Sequence, residues 1–242
     1  MTSNTAGVAV ITGASSGIGE ATARRLHASG YRVALLARRR DRIESLAAAL
    51  GDGALAIEAD VTDRDALVSA AEHVREAFGG ADVLVNNAGV MLLGPFSSDQ
   101  RNDYRQMIEV NLLGAITATE VFLDQLTASE HADIINISSV AGRTARSGNG
   151  VYAATKWGVT GWSEALRQEL LPKVRVTLIE PGIVATELPT HITHEQTNSA
   201  VNEMYSTAEV TADDIADVLA FAVSRPRHLA INEILLRPST QV

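Results

Sequence analysis

The segment VAVITGASSGIG, residues 8–19, joins a short apolar run to a glycine-rich turn and the beginning of a helical pattern. An apolar run of this length is typical of a buried strand. The glycines let the backbone turn tightly and approach a pyrophosphate at the N-terminus of the following helix. A glycine-rich turn of another kind of α/β protein is the alternative, but the position between a strand and a helix favours a dinucleotide site. We expect cofactor contacts from this loop, namely from Gly13, Ser15, Ser16, Gly17, Ile18 and Gly19.

Strand-like and helix-like segments alternate along the rest of the chain. The predicted strands are residues 8–11, 32–37, 54–59, 82–85, 133–138, 174–180 and 231–236. The predicted helices are residues 18–29, 40–50, 63–78, 104–126, 151–171 and 212–223. This alternation requires right-handed crossovers and predicts an α/β fold of the Rossmann type, with a doubly wound, seven-stranded parallel sheet flanked by helices.

We expect residues 1–242 to form a single domain, because no linker or low-complexity tract divides them. The segment of about 185–211 is rich in Thr, His and Glu and is predicted to be a long irregular loop. Long loops of this kind are often lids. We therefore place substrate selection in this segment.

The composition sets limits on partners and location. With 20 basic and 29 acidic residues, the net charge of −9 disfavours binding to nucleic acid and a polybasic membrane anchor. The polar start MTSNTAG leads directly into the first strand, and no stretch has the length of a membrane span, so we expect a cytoplasmic protein. The absence of cysteine excludes thiol nucleophiles and thiolate metal sites.

The end of the second predicted strand indicates which dinucleotide is bound. An NAD site places an Asp or Glu near this point for the ribose 2′-hydroxyl, but the strand ends at Ala37 and is followed by Arg38, Arg39, Arg40 and Arg42. Positive charge at the start of a helix opposes the helix dipole unless an anion is bound. A 2′-phosphate supplies that anion, which favours NADP(H). Arg38 is the best-placed phosphate ligand with Arg39 beside it, whereas a solvated basic helix start is the alternative, favoured for Arg40 and Arg42.

Four further motifs carry a family resemblance. The fourth strand runs into NNAG at residues 86–89, Asn111 lies in MIEVNLLG, the fifth strand ends in NISS, and YAATK occupies residues 152–156. In this order and spacing they resemble the single-domain, classical short-chain dehydrogenase/reductases over nearly the whole chain. Without the other motifs, a Tyr and a Lys four residues apart would be an ordinary exposed helical pair.

The resemblance implies roles for four side chains. Tyr152 would protonate a carbonyl oxygen as hydride arrives from the nicotinamide, and Lys156 would also hold the nicotinamide ribose. Since a phenol has a pKa of about 10, we expect the neighbouring ammonium to lower the pKa of Tyr152. Ser139 would orient the substrate, with the adjacent Ser138 as a structural or cofactor-side neighbour. Asn111 would help hold a water that leads protons to the lysine, whereas a helix-interior Asn bonded to the backbone is the alternative.

The family pattern also implies further cofactor contacts, from Asp60, Val61, Asn87, Ala88, Gly89, Pro181, Gly182, Val184 and Thr186, together with Tyr152 and Lys156. Asp60 could equally belong to a helix entry cap, and the turn at Pro181 to an ordinary post-strand turn. Asn86 is expected to brace the sheet. His191 and His194 lie near the expected lid, but two histidines without a third ligand do not predict a metal site.

Within the family, residues 89–95, 186–194 and 233–242 are most similar to NADPH-dependent aldehyde and ketone reductases of the clavulanic acid dehydrogenase group. We expect NADPH-dependent reduction of an aldehyde or ketone, with a clavulanate-type aldehyde as one candidate substrate. NADP-dependent oxidation of 3-hydroxy acids or other secondary alcohols is one alternative, and a non-catalytic regulator that senses NADP(H) is another. The long apolar helices at 104–126 and 151–171 predict a homotetramer, unless they are buried within one subunit.

Overall fold

The computed structural model describes residues 7–241, which contain one seven-stranded sheet with the order β3-β2-β1-β4-β5-β6-β7. All neighbouring strands are parallel. The strands are β1 (Gly7–Thr12), β2 (Tyr31–Ala37), β3 (Ala54–Glu58), β4 (Val83–Asn86), β5 (Ala132–Ile137), β6 (Val174–Pro181) and β7 (Glu233–Leu236). The predicted seven-stranded, doubly wound α/β fold is confirmed, and each predicted strand boundary lies within two residues of the observed one.

Helices cover both faces of the sheet. They are α1 (Gly17–Ala28), α2 (Arg40–Leu50), α3 (Arg64–Phe78), α4 (Arg101–Ile108), α5 (Gly114–Ala128), α6 (Gly150–Leu170), α7 (Glu195–Ser206) and α8 (Ala212–Val223). Successive side chains of a strand point to opposite faces, so Val8 and Val10 of β1 enter one core while Ala9 and Ile11 enter the other. Helices α3, α4, α5 and α6 contribute to the first core, and α1, α2 and α8 to the second. Both faces of the sheet are therefore covered by helices, which agrees with the unbroken apolar runs of its strands.

The predicted helix over residues 104–126 is present as an uninterrupted helical stretch over residues 101–128, but it is not α-helical throughout. A π-helical segment, Glu109–Leu113, lies between α4 and α5. Within it, the buried Asn111 side chain bonds to the backbone of Val90, and Gly114 at its end lies so close to Val61 that an added Cβ would be 2.7 Å from Val61 Cγ2. Single π turns inside α-helices are often found at functional sites, and this one fixes the position of Asn111.

The segment 185–211 is not irregular, contrary to the sequence-based expectation. It contains a short 3₁₀ helix, Leu188–His191, followed by α7. A parallel bridge between Ala185 and Thr211 joins the two ends of the segment. The sequence concealed α7 because Thr, Asn and Ser are modest helix formers, and none of its residues is fully buried.

Over residues 7–241, no helix is both long enough and apolar enough to cross a membrane.

Candidate active site

A cavity of about 710 Å³ lies at the carboxyl ends of the central strands. The loops after β1, β4, β5 and β6 line it, and the segment 185–211 forms its outer wall. In doubly wound sheets, ligands bind where the strand order reverses, and here the reversal falls between β1 and β4. Every residue predicted to belong to the site lines this cavity except Gly19 and Asn111, which lie behind its wall.

The glycine-rich loop is shaped by close backbone contacts. Gly13 and Gly17 have φ values of 66° and 54°, a region that side-chain-bearing residues rarely adopt. A Cβ on Gly19 would lie 2.4 Å from the carbonyl oxygen of Gly13 and 2.5 Å from Asn87 Nδ2. Gly19 therefore serves the packing of the loop and not its exposed surface.

Asn87 and Thr12 hold this loop against the end of β4. Asn87 Nδ2 donates hydrogen bonds to the carbonyl oxygens of Thr12 (2.9 Å) and Gly13 (3.2 Å). Thr12 Oγ1 accepts hydrogen bonds from the backbone N–H groups of Asn87 and Ala88. Asn87 lines the cavity, as expected for a cofactor contact, and it also braces the loop that approaches the phosphates.

The neighbouring Asn86 faces the core instead of the cavity. Its Nδ2 donates to Thr119 Oγ1 and to Asn136 Oδ1, both at 2.8 Å. These bonds join β4 to α5 and β5, so the prediction that Asn86 braces the sheet is confirmed.

Arg39 makes the closest contacts with the glycine-rich loop. Its guanidinium donates to Ser15 Oγ at 3.0 Å and to Ser16 Oγ at 2.6 Å, and it lies 3.1 Å from the Glu187 carboxylate. Arg38, which the sequence favoured, also borders the cavity, but its side chain is 59% exposed and its nearest carboxylate oxygen, on Asp60, is 3.7 Å away. The structure thus places Arg39 nearer to the phosphate-binding loop, because its side chain folds back over the serines.

The other two arginines differ from each other. Arg40 pairs with Glu44 on the exposed side of α2, as expected for a solvated helix start. Arg42 instead lies 3.0 Å from Glu187, which it shares with Arg39. Hydrogen bonds from these two arginines lower the pKa of the Glu187 carboxyl. Glu187 therefore links the segment 185–211 to the basic start of α2.

Tyr152 and Lys156 lie on one face of α6 and are both buried. Lys156 Nζ donates to the carbonyl oxygen of Ile137 at 2.9 Å and lies 5.8 Å from the centre of the Tyr152 ring. Burial lowers the pKa of Lys156 to about 8. Burial also raises the pKa of Tyr152 well above its usual value, the charge of Tyr205 raises it further, and a hydrogen bond with Ser139 lowers it.

The expectation that Lys156 lowers the pKa of Tyr152 is therefore not met in this structure, where the direction is upward. The physical reason is that the phenolate loses its hydration on burial, and the hydrogen bond with Ser139 stabilises it by less than this loss destabilises it. The phenol is consequently held in its protonated, proton-donating form.

The two serines at the end of β5 have different surroundings. Ser139 lines the cavity, and its Oγ accepts a hydrogen bond from the backbone N–H of Ala141 at 3.1 Å. Ser138 is buried, with its Oγ within 3.2 Å of the carbonyl oxygen of Lys156 and of Thr160 Oγ1. Ser138 also borders the cavity, but its hydroxyl is bonded to α6, whereas Ser139 presents its hydroxyl to Tyr152.

The side chain of Asn111 forms hydrogen bonds with Val90 and Thr155. Its side chain accepts from the N–H of Val90 at 2.7 Å and donates to the carbonyl oxygen of Val90 at 2.9 Å and to Thr155 Oγ1 at 3.2 Å. This is the backbone-bonding alternative, although the backbone belongs to the loop after β4 and not to its own helix. A Cβ on Gly89 would lie 3.4 Å from Asn111 Oδ1 and 3.8 Å from Lys156 Nζ, so both side chains approach Gly89.

The remaining predicted contacts also lie at the cavity wall. Asp60 Oδ1 accepts from the N–H and hydroxyl of Thr62, while the cap of α3 is Asp63, so Asp60 forms a turn just before the helix entry. Thr186 covers Gly17, where an added Cβ would lie 3.3 Å from Thr186 Cγ2. The other cavity-lining members of the predicted set are Val61, Ala88, Gly89, Pro181, Gly182 and Val184.

Sequence reasoning missed part of the cavity wall. The missed lining residues come from the loop after β4, from the turn after β6, from α7 and from the C-terminal stretch, and include Met91, Leu93, Glu187, Val201, Met204, Tyr205, Arg237 and Gln241. The sequence segments that carried the subgroup resemblance contain five of these residues, but nothing in the pattern of α7 marked it as a cavity wall. His191 also lines the cavity, whereas His194 caps α7. Over residues 7–241, no group of three or more His, Asp or Glu side chains is arranged to hold a metal ion.

Comparison with known proteins agrees with this geometry. A family profile described as short chain dehydrogenase matches residues 7–197. The chain is 38% identical over 237 residues to a serine 3-dehydrogenase of Agrobacterium fabrum, covering 97% of this chain and 95% of that protein. It is 37% identical over 238 residues to an uncharacterized oxidoreductase of Staphylococcus saprophyticus, covering 97% and 96%. Its structure matches the closed form of serine dehydrogenase complexed with NADP+ with a TM-score of 0.90 at 33% identity, over 97% of this chain and 96% of that chain.

Proposed function

The chain is an oxidoreductase of the short-chain dehydrogenase family, and we propose that it interconverts an aldehyde or ketone and the corresponding alcohol with NADP(H). One observation carries this proposal. A single cavity has the buried Tyr152 and Lys156 with Ser139 in its wall, and Arg39 with the glycine-rich loop in another part of the same wall. A reacting group and a cofactor phosphate can therefore be held in one continuous site.

The cofactor assignment is supported by the charge at the end of β2. Ala37 offers no carboxylate to a ribose 2′-hydroxyl, whereas the guanidinium groups of Arg38 and Arg39 border the cavity. The loop fits a pyrophosphate as well, because Gly13 and Gly17 leave space that a Cβ would fill against Ala88 and Thr186. The similar serine dehydrogenase is complexed with NADP+, which agrees with this assignment.

In the direction of reduction, bound NADPH would supply the hydride that the carbonyl carbon receives. Tyr152 donates its hydroxyl proton to the carbonyl oxygen, and Ser139 donates a hydrogen bond to the same oxygen as negative charge develops on it. Lys156 then stabilises the phenolate. An ammonium whose pKa is about 8 is charged at neutral pH and can also release a proton towards that phenolate. Asn111 holds the loop that carries Gly89 and Val90, and Gly89 lies close to Lys156.

Two features bear on substrate and direction. The segment 185–211 is proposed to act as a lid that selects the substrate, since its residues Leu188, Val201 and Tyr205 line the cavity. Oxidation of a 3-hydroxy acid or another alcohol is the second candidate, favoured by the similarity to a serine 3-dehydrogenase. The exposed basic side chains of His191 and Arg237 at the cavity would suit a substrate carboxylate. A clavulanate-type aldehyde rests only on the sequence segments that suggested it.

We also propose that four copies of this chain assemble into a homotetramer. Large apolar side chains are exposed on the helices expected to pair, namely Ile108, Leu113 and Trp157. A non-catalytic regulator is disfavoured by the presence of Asn111, Ser139, Tyr152 and Lys156 in one site.

The function is tested by measuring NADPH consumption with aldehydes, diketones, 3-oxo acids and quinones, and NADP+ reduction with alcohols and 3-hydroxy acids. Tyr152→Phe is expected to bind NADPH as the wild type does and to lose at least about a hundredfold in turnover, because the proton donor is gone. Tyr31→Phe, at the start of β2 and outside the cavity, is the matched control. Retained turnover in Tyr152→Phe would remove the proton-donor role, and the absence of turnover with all compounds would remove the proposed reaction.

A further inference from the structure

Tyr205 is a second phenol in the wall of the active-site cavity. It lies near the end of α7, where its ring packs against the core, and it lines the cavity together with Met91 and Tyr152. Among the described residues, its hydroxyl contacts one polar atom, Met91 Sδ, at 4.0 Å. A thioether sulfur is a weak acceptor, so the hydroxyl keeps its capacity to donate to another group.

The two phenols, Tyr152 and Tyr205, line the same cavity. Burial raises the pKa of Tyr205 itself, so the group is a neutral hydroxyl at physiological pH. It can therefore donate a hydrogen bond to a compound whose carbonyl group is at Tyr152.

Both sides of this part of the cavity are held in place. Met91 follows Val90, whose backbone is fixed by Asn111. On the other side, Asn198 of α7 donates to the carbonyl oxygen of Ile192 at 3.0 Å, and Thr193 donates to Asp103 of α4 at 2.6 Å. These bonds tie the beginning of α7 to the turn before it and that turn to α4.

Residues 188–206 also bring the apolar Leu188, Val201 and Met204 and the polar His191 and Thr197 to this wall, and of these Met204 and His191 are exposed. A buried apolar pocket does not strongly discriminate polar groups, but a site built to hydrogen-bond a substrate oxygen rejects analogues that lack it. Tyr205 contributes a partly buried phenol hydroxyl to this wall.

We infer that Tyr205 is a specificity-determining residue that donates a hydrogen bond to a second oxygen of the substrate, separate from the carbonyl oxygen that Tyr152 protonates. The corresponding substrate class is an otherwise apolar ketone or aldehyde that carries a second oxygen acceptor a few atoms from the reacting carbonyl. This inference rests on the proposed function, because it takes Tyr152 as the proton donor.

The kinetic test compares two ketones that differ by one oxygen, pentane-2,4-dione and pentan-2-one, in the wild type and in Tyr205→Phe. We expect the variant to lower kcat/KM for the dione about tenfold, the effect of one hydrogen bond, and to leave that for the plain ketone within about twofold. Tyr31→Phe is the control for removal of a hydroxyl outside the cavity. Equal losses for both ketones would show that Tyr205 only supports the wall, and would overturn the inference.

A binding test separates this inference from the reaction itself. In the Tyr152→Phe background, which is not expected to turn over, the dissociation constant of pentane-2,4-dione for the NADP+ complex is measured with and without Tyr205→Phe. About tenfold weaker binding in the double variant supports the donor role whether or not the enzyme reduces the dione. Unchanged affinity, or no binding of the dione to the parent variant, overturns it.

Discussion

Replacement of Arg39 by Ala is expected to lower the catalytic efficiency with NADPH but not with NADH. The Arg39 guanidinium lies 3.0 Å from Ser15 Oγ and 2.6 Å from Ser16 Oγ, which places a positive charge on the loop that approaches the cofactor phosphates. NADH lacks the 2′-phosphate that this charge would bind. The variant should therefore lose efficiency with NADPH and keep its efficiency with NADH.

The size of the loss follows from the exposure of the side chain. A hydrogen bond to a charged group contributes about 1.5 to 3 kcal/mol, but Arg39 is 39% exposed, so water and salt screen part of the attraction. We take the lower part of that range, ~2 kcal/mol, which corresponds to a loss of about thirtyfold in kcat/KM for NADPH. Arg38→Ala should lose less, about threefold, because the Arg38 side chain is 59% exposed and does not contact the serines.

The assay measures initial rates with NADPH and with NADH at one ionic strength, for the wild type and each variant. Arg40→Ala is the matched control, because Arg40 pairs with Glu44 and does not line the cavity. The reasoning is refuted if Arg39→Ala loses no more efficiency with NADPH than Arg40→Ala does. Equal losses with NADPH and NADH would show that Arg39 supports the loop without binding a 2′-phosphate.

Two further substitutions test the loop and the buried lysine. Gly19→Ala would place a Cβ 2.4 Å from the Gly13 carbonyl oxygen, so we expect at least about tenfold weaker NADPH binding in a fluorescence titration. Gly161→Ala is the control, because no atom lies within 4 Å of the added Cβ. Equal affinity of the two variants for NADPH would contradict the packing argument. Lys156→Met should raise the free energy of unfolding at pH 7 by roughly 1 to 3 kcal/mol. Burial lowers the pKa of Lys156 from 10.5 to about 8, so the cost of its buried charge is fully present below pH 8 and disappears as the pH rises towards 10.5. Urea unfolding at pH 7 and pH 10 measures this difference, and a wild type that is more stable than the variant at pH 7 would contradict it.

The parts of the fold that depend on local pattern could be predicted. Buried parallel strands are continuous apolar runs, and the alternating assignment of Val8 and Ala9 to two cores follows from the period of a strand. The glycine-rich loop could be recognised because its close contacts, such as that of Gly19 with Gly13, permit no side chain. These features are properties of short stretches of sequence.

The features that sequence reasoning missed depend on contacts between distant residues. Helical periodicity over residues 104–126 gives no sign of the hydrogen bonds from Asn111 to Val90 that accompany the π segment. The preference for Arg38 over Arg39 came from position along the chain, whereas the contact with Ser15 depends on how the side chain folds. The raised pKa of Tyr152 likewise follows from burial, which a helical spacing does not reveal.

The π segment has a consequence for how this protein tolerates changes in length. A π turn carries one more residue than an α turn, and each residue of an α-helix advances the direction of the side chains by about 100°. Deletion of one residue within Glu109–Leu113 would replace the wide turn by an ordinary α turn. Because the wide turn itself accommodates the additional residue, α4 and α5 would keep their faces towards the first core, where Met107 and Ala118 lie. The deletion would instead change the direction of Asn111, so the additional residue is needed for the contact of its amide with Val90 and not for the packing of the flanking helices.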